Sequence, residues 1–241
     1  MNLIEFKNSL MVAYPFRVEL HSHTSPASSC GRATPEQVIF AYQKAGFDAI
    51  VIENHFIYRT DGTDKNTYID RFLDDFYKAD ECGKKLGVKV YLGAEIRFTE
   101  NVNDYLVFGV NRELLEVIYD LLPYGLANFR KEISMPDSLL VQAHPGRDGM
   151  EKVDPSLLDG VEIFNMHPNH NSRNGMTSNA AKKDGFAIVT AGSDFHHPDK
   201  EHEGLAALRA PILPEDSYGL AALLKSKNYL LELAGQRIIL P

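Results

Sequence analysis

Residues 17–24 read Arg17-Val18-Glu19-Leu20-His21-Ser22-His23-Thr24, a short strand-like run that ends in a His-x-His pair. Six more runs of the same kind follow: 48–53 (DAIVIE), 88–95 (VKVYLGAE), 105–110 (YLVFGV), 139–144 (LLVQAH), 160–165 (GVEIFN) and 187–191 (AIVTA). All are short and almost continuously apolar, as strands covered on both faces tend to be. Amphipathic stretches separate them. Thr34-Pro35-Glu36-Gln37 combines an N-cap threonine, a first-turn proline and a capping-box glutamine, and opens a helix that Gly46 can stop. Residues 68–86 put Ile69, Phe72, Leu73 and Phe76 on one face ahead of Gly87. Further helices are predicted over 112–122, behind Asn111 and up to Pro123, after Asp154-Pro155, and over 173–184 and 214–226. The pattern over 230–240 is weak and compatible with a terminal strand. Strand–helix alternation without a linker, repeat or low-complexity tract predicts one α/β domain over 1–241, its sheet either open or closed into a barrel.

Composition narrows the class of protein. The chain has 241 residues, 44% apolar and 24% charged, which is ordinary for a globular protein. No apolar run approaches the roughly 20 residues that span a bilayer, and the polar and acidic residues within 1–16 make a poor signal peptide. Two cysteines, Cys30 and Cys82, form no disulfide framework, which suits a reducing compartment and a cytoplasmic location. A net charge of −8 argues against binding long nucleic acid.

The nine histidines carry the functional signal. His21, His23, His55, His144, His196 and His197 all lie at or just past a predicted strand end, together with Glu95, Asn165 and Asp194; His167, His170 and His202 lie in the loops that follow. C-terminal strand ends of a parallel sheet or barrel share one rim, so these side chains should converge. Imidazoles and carboxylates are the ligands that Zn²⁺, Mn²⁺ or Fe²⁺ prefer, and no thiolate is expected among them. One histidine at a strand end is usually a hydrogen-bonded core residue. A rim of them outnumbers the ligands one ion needs and predicts at least two ions, with Glu95 or Asp194 bridging.

Four ordered segments, His21-Ser22-His23-Thr24, Gly93-Ala94-Glu95, Ala143-His144-Pro145-Gly146-Arg147 and Gly192-Ser193-Asp194-Phe195-His196, resemble the polymerase and histidinol phosphatase (PHP) domain superfamily over residues 18–198. The resemblance implies a distorted seven-stranded (β/α)7 barrel holding two or three divalent metal ions. By position it implies one ion on His21, His23, Glu95 and Asp194. A second would use Glu95, His144 and Asp104, which stands where the family usually has histidine. A third would use His55 and His196, plus a His or Asp shortly after the His-x-His pair. Residues 25–30 (SPASSC) offer no carboxylate or imidazole, so that third site is expected to be weakened. Asn54 replaces a common aspartate before His55 and is expected to alter how that histidine is oriented.

The resemblance and the ligand set together imply phosphomonoester or phosphodiester hydrolysis by a water ionised between two metals. Glu95 and Asp194 are then catalytic as well as ligating. Arg147, Arg97 and Arg173 are candidates for the phosphate, because guanidinium binds it bidentately. Asn165 is a candidate for orienting substrate, and His167 and His197 for protonating the leaving group. Tyr58 and Arg59 are placed to cover the mouth, Cys30 is read as an idle thiol beside the site, and Cys82 as packing. The expected partner is a small phosphorylated substrate, a nucleotide or histidinol phosphate among the options. Two alternatives stand beside this reading. A metal-dependent amidohydrolase would use a similar barrel, but no lysine occupies a suitable strand end. A PHP-like module could bind metal without turnover; the chain ends soon after the last motif, which favours a free-standing enzyme.

Overall fold

The computed structural model describes residues 2–197, 205–234 and 237–240; His202 lies outside them. Its first apolar run forms β1 (Phe16–Ser22), preceded by helix α1 (Leu3–Ala13). There follow α2 (Pro35–Lys44), β2 (Ala49–Ile52), β3 (His55–Ile57), α3 (Lys65–Leu86), β4 (Lys89–Arg97) and β5 (Asp104–Phe108). Next come α4 (Arg112–Leu121), α5 (Gly125–Glu132), β6 (Leu139–Gln142), β7 (Gly160–Asn165), α6 (Asn174–Lys183) and β8 (Val189–Gly192). The chain finishes with β9 (Ala206–Ala210), α7 (Ser217–Ser226), β10 (Leu230–Leu233) and β11 (Arg237–Ile239).

The strands make one curled sheet in the order β11-β10-β9-β1-β2-β4-β5-β6-β7-β8, with β3 pairing beside β4. Just past β8, Phe195 bridges in parallel to Ser22, and His23 N–H donates to its carbonyl at 3.0 Å. The far end of the sheet thus comes back to β1.

Two expectations are corrected here. The architecture is α/β, and a strand forms in each of the seven predicted places, but the sheet has eleven strands. β3 was hidden in a loop that reads as polar, and β9 to β11 extend the sheet antiparallel from β1. Nor are the central strands all parallel. β5 runs against both β4 and β6, with Asp104 paired opposite Arg97. Because β5 is reversed, its first residue lies on the rim where β4 ends, which is how Asp104 joins residues that finish their own strands.

Local sequence explains most helix ends. Thr34 and Gln37 form the capping box, Asn111 Oδ1 accepts from Leu114 N–H, and Gly87 ends α3 at φ +74°. Helix α5 was not foreseen, because Pro123 reads as a stop. The chain makes a tight turn there and resumes its helix at Gly125, where Glu100, from a distant loop, accepts the Leu126 N–H at 2.9 Å. That cap is tertiary and leaves no local trace. Apolar strand residues such as Val18, Val51, Leu106, Val141, Leu208 and Leu231 share one buried core. Among the described residues, no helix is long and apolar enough to cross a membrane.

Candidate metal centre

His21 is the penultimate residue of β1, His23 follows the strand, Glu95 lies near the end of β4, and Asp194 follows β8; all four are at most 1% exposed. Hydrogen bonds determine which imidazole nitrogen carries the proton. His21 Nδ1 lies 3.0 Å from Glu162 Oε1, an acceptor, so Nδ1 is protonated and Nε2 is the nitrogen that faces the centre, free to bind a cation in place of a second proton. For His23 the path runs through Ser28. Thr24 N–H donates to Asn54 Oδ1 at 2.7 Å, so the Ser28 hydroxyl must also donate to that oxygen (2.9 Å). Ser28 Oγ already accepts the His55 N–H (2.9 Å), and His23 Nδ1, 3.2 Å away, supplies a second proton to it. His23 Nε2 therefore carries a lone pair. Asn54 thus orders His23 through Ser28, beyond the influence on His55 that its position suggests.

The consequence is a set of Lewis bases facing one another. His21 Nε2 and His23 Nε2 are 3.2 Å apart. His21 Nε2 lies 3.4 Å from Glu95 Oε1 and 3.6 Å from Asp194 Oδ1, and His23 Nε2 lies 3.4 Å from Glu95 Oε2 and 3.2 Å from Asp194 Oδ1. Four ligands around an ion at about 2.0–2.1 Å in tetrahedral array would stand roughly 3.3–3.4 Å apart. Glu95 Oε2 is also buried without a hydrogen-bond partner. The residues present fit a divalent cation.

The electrostatics agree. Burial works against ionising Glu95 and Asp194, yet His55 and His21 hold Glu95, and His21, His23 and Arg147 hold Asp194, well below the usual carboxylate range. Burial also opposes charge on His21, but Asp194, Glu162 and Glu95 overcome it and raise that histidine well above its ordinary value. His23, with less compensation, is pushed down to about 3. The pocket demands positive charge at its centre, which a proton or a metal ion can provide.

A second group adjoins the first through Glu95. His144 Nε2 lies 3.0 Å from Glu95 Oε1, and Asp104 Oδ2 lies 3.9 Å from His144 Nε2. Asp104 Oδ1 and Oδ2 also accept from Arg97 Nε and Nη2 at 2.7 and 2.8 Å, so Arg97 is engaged in holding Asp104. Burial and the Glu95 charge push Asp104 up despite that arginine. His144 and Asp194 both adopt left-handed backbone, φ +29° and +53°, a strain of the kind that gathers at functional sites.

On the open flank, His55 Nδ1 stands 2.8 Å from Glu95 Oε2 and His196 Nδ1 donates to the Asp194 carbonyl at 2.7 Å. Cys30, expected beside the site, lies inside the cluster, its Sγ 3.1 Å from His196 Nε2. Burial would raise its pKa, but His196 and His55 bring it down to about 6.

These groups line a cleft of about 450 Å³ together with Arg97, Asp104, Arg147, Asp148, Met150, Asn169, His170 and Asn171. Arg147 Nη2 bonds Asn165 Oδ1 (2.7 Å) and Asp194 Oδ2, while its Nη1 makes no hydrogen bond to the described residues. Arg173 is turned away: it donates to the Gly146 carbonyl, pairs with Asp148, and lines a neighbouring cavity of about 500 Å³ behind Pro145 and Gly146. Asn165 holds the Arg147–Asp194–Glu162 corner together. His167 is buried against His196 and His170, and burial lowers it to about 4, so it is neutral near pH 7. His197 is half-buried and, like Tyr58 and Arg59, is not among the described residues lining the cleft.

Two carboxylates escaped the sequence reading. Besides the His21 ring, Glu162 accepts from the His144 backbone N–H and from Asn165 Nδ2 at 2.9 Å each. Glu19, fully buried, accepts from Leu20, His21 and Ser193 N–H and from the Tyr42 and Ser193 hydroxyls, tying β1 to the loop that carries Asp194. Both interrupt apolar strand runs, which was the available signal.

No family model and no curated protein matches the sequence. Solved structures match the fold. The chain superposes on a two-domain protein from Bacteroides vulgatus, described as containing a predicted PHP-like metal-dependent phosphoesterase, with TM-score 0.62 and 18% identity. The match covers 91% of this chain and 65% of that one, so the chain spans less than two thirds of that relative. It also superposes on PsfC from Pseudomonas syringae, with TM-score 0.63 and 15% identity over 94% of this chain and 91% of that one. The chain shares its fold with these two structures, and the four segments quoted from its sequence all meet at the rim just described.

Proposed function

We propose that this chain is a metal-dependent hydrolase of small phosphoesters, and that His21, His23, Glu95, Asp194, His144 and Asp104 hold its pair of divalent ions. The observation that carries the reading is the meeting of two imidazole nitrogens and two carboxylates in one buried pocket, 3.2–3.6 Å from one another, close to the separations a bound cation requires. Ions bound there would act as Lewis acids toward phosphoryl oxygens and lower the pKa of a water nucleophile.

The protein's own part follows from its contacts. Glu162 and the Asn54–Ser28 relay hold the two histidines in the ligating tautomer. Glu95 faces His21 and His144 with Oε1 and His23 and His55 with Oε2, which suits a bridging carboxylate. Arg147 balances the outer oxygen of Asp194 and offers Nη1 to a phosphoryl group in the cleft. Asp104, backed by Arg97, supplies a harder oxygen donor in place of an imidazole. The cleft volume suits a mononucleotide or a small phosphate monoester better than a polymer, and the acidic net charge points the same way.

The test is a substrate panel on chelated protein reloaded with Mn²⁺, Zn²⁺ or Fe²⁺. Metal-dependent release from phosphoesters, and not from amides or lactones, is expected. Turnover of amides or lactones would favour the amidohydrolase reading. Full metal loading without turnover on any class would favour a binding module.

A further inference from the structure

We infer that Cys30 supplies a thiolate ligand to a further divalent-ion site, which it shares with His55 and His196 on the open flank of the buried centre. The inference rests on the metal-centre reading and adds a ligand and an ion preference to it.

The geometry is that of a built site. Donor atoms of Cys30, His55, His196 and His23 all lie within 4.8 Å of one another. His196 gives its Nδ1 proton to the Asp194 carbonyl, so Nε2 turns its lone pair toward Sγ, 3.1 Å away. The loop bearing Cys30 is tied to both histidines: Arg32 N–H donates to the His196 carbonyl at 2.9 Å, and His55 N–H donates to Ser28 Oγ at 2.9 Å. Gly31 lets the loop fold tightly, because a Cβ there would come within 3.0 Å of the Thr24 carbonyl. A second observation points to a cation: Glu95 Oε2 is buried without a hydrogen bond, yet 2.8 Å from His55 Nδ1. The expectation that this site lacks a third protein ligand came from counting only carboxylates and imidazoles in residues 25–30; sulfur fills the place.

Thiolate with imidazole selects thiophilic ions such as Zn²⁺ or Co²⁺ over Mn²⁺ or Mg²⁺. The flank therefore differs chemically from the oxygen-rich centre beside it. Sulfur binds as the thiolate, and a proton still on the thiol leaves to solvent as the S–H bond gives way to the bond with the ion.

The experiment is a Co²⁺ titration of the metal-free full chain carrying Cys82→Ser, followed by absorption spectroscopy. A thiolate-to-cobalt charge-transfer band in the near ultraviolet is expected. Cys30→Ser in that background should lose the band and one equivalent of bound cobalt while keeping the visible bands of histidine-bound cobalt. Thiol labelling gives a second readout: Zn²⁺ should protect Cys30 from a disulfide reagent and Mn²⁺ should not. Visible bands without charge transfer, or an unchanged spectrum in Cys30→Ser, would overturn this inference alone. Absence of any cobalt binding would overturn it together with the metal-centre reading.

Discussion

The rim and the β9–β10 flank are built on opposite principles. At the rim, His21, His23, Glu95 and Asp194 are buried with their polar atoms turned on one another, and His144 and Asp194 sit on left-handed backbone. Each such backbone position costs about 1–3 kcal/mol. Along β9 and β10, Ala206, Leu208, Leu231 and Leu233 are buried among apolar neighbours, and the charged pair Arg209–Glu232 is matched across the strands. One region concentrates chemistry at the expense of stability; the other supplies stability without chemistry.

Substitutions should separate the two. The largest effect is expected at the rim: Asp194→Ala should reduce metal-dependent turnover to background while far-ultraviolet circular dichroism stays native-like. Retained kcat/KM would remove Asp194 from the centre. On the flank, Leu208→Ala leaves a cavity in a fully buried site and should cost about 2–5 kcal/mol in a urea titration. Its metal stoichiometry and activity per folded molecule should be unchanged; a loss of bound metal would show that the regions are not independent.

A pH titration sharpens the contrast beneath the rim. Burial pushes Glu19 up to about 7 from 4.5, against its hydrogen bonds from Ser193, His21 and Tyr42. The folded state thus binds this proton more tightly than the unfolded chain does. Its contribution is complete below pH 4.5 and is lost as pH rises through 7, by about 3 kcal/mol. Glu19→Gln, which stays neutral, should show a shallower fall across that window in metal-free protein. Parallel curves for the two proteins would refute the assignment. The smallest effect is expected at Glu162→Gln, which retains one acceptor oxygen where the native carboxylate uses two. Metal affinity should drop roughly 10–100-fold, read by competition with a chelating dye, because an orienting partner is lost and not a ligand.

Much of the rim was legible because strand ends and titratable residues coincide in the sequence. His21, His23, Glu95, His144 and Asp194 each follow a short apolar run, and parallel pairing does the rest. What stayed hidden depends on partners remote in the chain. Nothing local announces that β5 is reversed, although that reversal is what carries Asp104 to the rim. Glu100 caps α5 across 26 residues. Arg173 looks available in sequence but is drawn off by Gly146 and Asp148. Glu19 and Glu162 were visible as carboxylates inside apolar runs, yet their roles emerge only when Ser193 and Tyr42 are seen to reach Glu19 and the His21 ring to reach Glu162. Cys30 was discounted because one cysteine in a loop carries no pattern of its own.

The central claim is that lone pairs and carboxylates meet in this pocket because a divalent ion belongs there. Its most direct test is calorimetric titration of chelated protein with Zn²⁺ or Mn²⁺, beside elemental analysis of the protein as purified. At least two ions per chain are expected, with a marked loss in Glu95→Ala, the variant that removes the shared carboxylate. A wild-type chain that takes up no divalent metal, or a Glu95→Ala chain that binds as many ions as tightly, would contradict the account.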